Sequence, residues 1–77
     1  MEIAWENLGR IVVTIGGRKV VIPGETFLDH KPDYLIYAKY LNKWEDGTDI
    51  SVAEKQEIIA TVVAEAEKRG WNFEVEE

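Results

Sequence analysis

Few residues in this chain have the types and spacing that chemistry requires. Its one histidine, His30, sits in Asp29-His30-Lys31-Pro32-Asp33. A histidine between carboxylates can serve as a tuned base or begin a metal site. With no cysteine and no second histidine, that segment lacks a ligand set and reads as an exposed turn. Glu45-Asp46-Gly47-Thr48-Asp49 places three carboxylates around a glycine. Calcium loops alternate their ligands over twelve positions and end in Glu, which this segment does not do. Gly16-Gly17 lacks the later Gly, Lys and Ser/Thr of a phosphate loop and joins two strand-like runs. Glu74 and Glu76 could imitate the paired acids of a glycosidase, but they alternate along a terminal strand with no cleft around them. The residues therefore indicate no enzyme, no metal and no cofactor.

Charge carries more information. From Glu45 to Glu77 there are ten acids against three bases, whereas the first 44 residues hold five acids and six bases. The second half therefore carries −7 and the first half +1, for a net of −6. Such a balance disfavours nucleic acid and anionic membranes and suits a basic protein partner. The candidate partner-binding set is Trp44, Glu45, Asp46, Asp49, Glu54 and Glu57, with the aromatic as anchor and the acids as its steering field.

Seventy-seven residues make one small domain. Hydrophobic packing must hold it without disulfides, and 45% apolar content is enough to try. The absence of cysteine fits a reducing compartment. The N-terminus shows no basic segment followed by an apolar run, so a soluble cytoplasmic protein is expected.

The elements that must position these residues are legible in order. Glu2 to Glu6 alternates as a short strand with Ile3 and Trp5 on one side, and Asn7-Leu8-Gly9 reads as a turn. Two β-branched runs, Arg10–Ile15 and Arg18–Pro23, flank Gly16-Gly17 and predict a hairpin closed by a primed turn. In that register Ile11, Val13, Val20 and Ile22 share one face, and Val12 and Val21 the other. Phe27 to Asp33 reads as a polar connection. Tyr34 to Trp44 reads as a strand, bent or split near Tyr40. Ser51-Val52-Ala53-Glu54 is a capping box opening a helix to about Arg69, with Gly70 as its stop. Its apolar stripe reads as Val52, Ile59, Val62, Val63 and Ala66, with Ile58 on a flank and Glu54, Glu57, Thr61 and Glu65 towards solvent. Trp71 to Glu76 alternates as a last strand with its apolar residues inward.

The expected fold is therefore α+β, with strand order β-β-β-β-α-β in a single antiparallel or mixed sheet. One helix covers one face. Since one helix leaves the second face bare, some of Val12, Val21, Leu35, Tyr37 and Leu41 must be exposed or buried in an interface. Val21, Leu35 and Tyr37 form the alternative interface, one that would also serve a homodimer or a plain interaction domain.

The chain also resembles the immunity protein 74 family, small antitoxins encoded beside bacterial polymorphic toxins. The likeness lies in the hairpin Gly-Gly-Arg-Lys-Val-Val-Ile-Pro-Gly-Glu (Gly16 to Glu25), the aromatic strand Pro32-Asp33-Tyr34-Leu35-Ile36-Tyr37, and Lys43-Trp44-Glu45-Asp46. The helix start Ile50-Ser51 and the Gly70 stop complete it. The resemblance implies a protein that neutralises a cognate toxin by binding over or beside its active site. Many such toxins are nucleases, whose basic clefts an acidic inhibitor can fill in place of phosphates.

Overall fold

The computed structural model describes residues 1–7 and 9–77. The turn expected at Asn7-Leu8-Gly9 includes Leu8, which lies outside the described residues. Six strands and one long helix follow in the order β1 (Glu2–Asn7), β2 (Arg10–Ile15), β3 (Arg18–Val21), β4 (Gly24–Thr26), β5 (Tyr34–Tyr37), α1 (Val52–Lys68) and β6 (Phe73–Glu76), with a 3-10 turn at Ala38–Tyr40. The class is α+β, as expected.

The single sheet is corrected to two three-stranded sheets, β1-β2-β3 and β4-β5-β6. The break falls at Ile22 and Pro23, where one length of chain passes from the first sheet to the second. The Ile22 N–H still donates to Ile11 of β2, at 2.9 Å, while the Pro23 carbonyl already accepts from Tyr37 at the end of β5, also at 2.9 Å. Proline has no N–H to continue a ladder, so the handover occurs there. Gly24 permits the new pairing. A Cβ on Gly24 would strike the Leu35 carbonyl and lie 2.5 Å from the Tyr34 ring.

The hairpin register is the one its turn dictates. Val13 pairs with Val20 and Val12 with Val21. Gly16 and Gly17 both have positive φ, 55° and 80°, as a primed turn requires. The expected strand from Tyr34 to Trp44 stops at Tyr37. Beyond that point its neighbour has turned away towards β2, so no partner remains to extend the ladder, and the chain tightens into the 3-10 turn. β6 returns parallel to β5, with Tyr34 opposite Phe73 and Tyr37 opposite Glu76.

The helix has the predicted capping box. Glu54 N–H donates to the Ser51 hydroxyl at 3.1 Å, and Ser51 N–H to the Glu54 carboxylate at 2.9 Å. Gly70, with φ of 80°, ends it. Its phase differs from the expected one. Ile58, Val62 and Ala66 are the buried positions, Ile59 and Val63 flank them, and Val52 is 72% exposed. Thr61 and Glu65 are half-buried and not in open solvent, because with Arg69 they line a depression against Ile3 and Trp5 of β1. The core between sheets and helix joins Ile11, Val13, Val20, Ile22, Tyr34, Ile36, Leu41, Trp44, Ile58, Val62, Ala66 and Phe73.

Candidate functional site

The acidic loop is a built structure with internal bonds of its own. It begins at Asn42, whose carbonyl accepts from Ile50 N–H at 2.8 Å, and an isolated antiparallel bridge joins Lys43 to Asp49. Trp44 N–H donates to the Thr48 carbonyl at 2.8 Å, and Gly47 N–H returns to the Trp44 carbonyl at 2.9 Å. Glu45 N–H donates to the Lys19 carbonyl at 2.7 Å, which fastens the loop to β3.

Trp44 is therefore not the exposed anchor that its acidic neighbours suggested. It is 2% exposed and belongs to the core. The Arg18 guanidinium covers its ring at 4.8 Å. Its indole Nε1 is buried without a hydrogen-bond partner. The indole N–H still adds slightly to the field on Glu54, although it falls short of hydrogen-bond geometry.

Three of the five acids in the candidate set already serve the fold. Asp46 accepts from both the N–H and the hydroxyl of Thr48, at 2.9 and 2.6 Å. The Thr48 hydroxyl in turn accepts from Arg18 at 3.0 Å. Asp49 pairs with Lys43 at 2.6 Å. Glu54 caps the helix and lies 3.6 Å from Arg18. These contacts hold all three carboxyls below their ordinary pKa: Asp46 through Thr48, Asp49 through Lys43, and Glu54 chiefly through the Ser51 N–H. They remain charged, and Asp46 and Asp49 remain exposed. Glu45 and Glu57 are exposed, and neither side chain has an ion pair or hydrogen bond among the described residues. Sequence reasoning missed Arg18, which binds Trp44, Thr48 and Glu54 together. Its place one residue after a Gly-Gly turn gives no hint of a loop thirty residues away.

The alternative set is divided between the two sheets, Val21 in β3 of the first and Leu35 and Tyr37 in β5 of the second. Core-facing Val20, Ile22 and Ile36 fix the parity, so Val21, Leu35 and Tyr37 point away from the core. Val21 is 39% exposed beside half-buried Val12, while Leu35 and Tyr37 are half-buried and Leu41 is core. The Tyr37 hydroxyl donates to Glu25 at 2.5 Å. That bond, then desolvation and the nearby negative charge, push its pKa up to about 12.

His30 lies in an exposed segment against the Phe27 ring, as an ordinary turn residue would. Asp33 is structural. Its carboxylate accepts from Asn72 N–H at 2.7 Å, and that bond, followed by the Lys31 contact, lowers its pKa. Among the described residues there is no group of three or more His, Cys, Asp and Glu that could hold a metal. No helix among them is long and apolar enough to cross a membrane.

These features define a small α+β domain that presents charged and apolar surfaces. A family model described as immunity protein 74 matches residues 7–76, and the chain belongs to that family. Immunity proteins bind a cognate toxin, and the family is generally non-enzymatic. No curated protein and no solved structure matches the chain.

Proposed function

We propose that this chain neutralises one cognate bacterial toxin by direct binding in the cytoplasm, and that the toxin is basic, of the nuclease kind. The family match over nearly the whole chain carries this reading. The charge distribution supports its finer part. The acids of the second half give a field that speeds encounter with a basic cleft. Glu45, Asp46, Asp49 and Glu57 present that charge at the surface, and Glu54 adds to it at the helix start. Trp44 acts from beneath, by holding the loop in shape.

The test uses the two acids without internal duties. Glu45→Lys with Glu57→Lys should slow association with the toxin about tenfold at low salt and flatten the salt dependence. The circular dichroism spectrum should stay unchanged. Unaltered association kinetics in the folded double variant would remove the acidic loop from the interface.

A second reading has its own observation. Exposed Val21 beside Val12, with Leu35 and Tyr37 also turned away from the core, would suit a homodimer or a non-enzymatic interaction domain. Light scattering of the purified chain separates the two, since the first reading needs only a monomer.

A further inference from the structure

The unpaired side of β6 meets an apolar groove, and the two together have the form of a strand-accepting site. We propose that the toxin docks by adding an extended segment of its own to the open edge of β6. This rests on the toxin-binding reading above and names the surface used.

The backbone fixes which groups are free. The Asn72 carbonyl accepts from Asp33 and Tyr34 N–H, at 2.8 and 3.4 Å. Asn72 therefore turns its backbone groups towards β5. Backbone groups alternate sides along a strand, so those of Glu74 and Glu76 do the same and those of Val75 face the open edge. Among the described residues β6 has β5 as its only strand neighbour, and none of them pairs with the Val75 N–H. An edge of this kind is a template for another strand.

Beside it runs a groove of about 630 Å³ whose walls include Val52, Ile59 and Ala60 of α1 and Val75 of β6. Val52 and Val75 are 72% and 36% exposed. The alternation of β6 predicts Val75 inward with Phe73; it shares that face but remains partly exposed at the groove. Lys39 and Lys55 also line the groove. The first lies over the Tyr40 ring at 5.2 Å and the second bonds Asn42 at 3.3 Å, leaving their aliphatic stems to the groove.

Charge selects the occupant. Glu74 and Glu76 alternate with Val75 and are exposed on the other face of β6. An incoming strand must then put apolar side chains over the groove and Lys or Arg beside the two glutamates, where cross-strand pairs of opposite charge are favourable. A second copy of β6 would set glutamates against glutamates, which disfavours a symmetric dimer at this edge. A basic toxin segment of alternating apolar and cationic residues satisfies both faces.

The experiment uses the full chain and its cognate toxin domain. Val75→Pro deletes an N–H that faces outward, so β5–β6 pairing survives while strand addition does not. Binding should weaken at least about tenfold, in line with the loss of a central contact, whereas Leu28→Lys, at an exposed position outside the groove, should bind as the parent does. In the parent complex, hydrogen exchange at the Val75 amide should slow relative to the free chain. Full binding by a folded Val75→Pro variant, or an unchanged Val75 amide in the complex, would overturn the edge proposal and leave toxin binding intact. If Val75→Pro does not fold, exchange in the parent decides, with Val52→Lys on the groove wall as the second variant. No complex with the parent chain would overturn both readings.

Discussion

Trp44 shows how a residue's neighbours in sequence can mislead. Its position beside Glu45 and Asp46 suggested a surface aromatic. It lies in the core, where the Arg18 guanidinium covers its ring and also reaches Thr48 and Glu54. A contact spanning that much chain leaves no local pattern to read. The turn and cap residues were legible because their physics is local: two glycines with positive φ, and a serine and a glutamate exchanging bonds across three residues. Trp44→Ala should destabilise by about 3–5 kcal/mol, the range for emptying a large aromatic site. Denaturant unfolding followed by circular dichroism checks this. A silent substitution would restore Trp44 to the surface and to the interface.

At the scale of elements, the helix was legible in extent and misjudged in phase. Counting apolar residues gave weight to Val52, which lies in the first turn where the core has not yet begun. The i, i+4 row of Ile58, Val62 and Ala66 is what meets the sheets. Two substitutions separate the phases. Ile58→Ala should cost about 2–5 kcal/mol. Val52→Ala should lie within about 0.5 kcal/mol of the parent, as exposed positions do. Equal costs in urea unfolding would contradict the observed packing. The sheet was misjudged for a related reason. The run Arg18–Pro23 predicts no strand after Pro23, but the chain re-enters pairing at once on its other side. Only the partner β5, far along the sequence, makes Gly24–Thr26 a strand.

The whole molecule carries its negative charge partly as structure and partly as display. Asp33, Asp46, Asp49 and Glu54 all have lowered pKa values in the fold. Groups of this sign stabilise the folded state above their ordinary values, 3.8 for the aspartates and 4.5 for Glu54. The contribution is lost as pH falls below those values through the lower folded ones. Thermal stability should therefore fall on acidification below about pH 4.5. Asp33→Asn should be less stable at neutral pH and lose less on acidification, and equal acid slopes in the two proteins would contradict the assigned role of Asp33. Glu45 and Glu57 make no such bonds, which leaves them for a partner.

Titration calorimetry of the full chain against its purified cognate toxin domain tests the central claim most directly. The account predicts a one-to-one complex that weakens with added salt and abolishes the toxin's activity at equimolar ratio. A toxin that neither binds at micromolar concentration nor loses activity in the presence of this chain would contradict it.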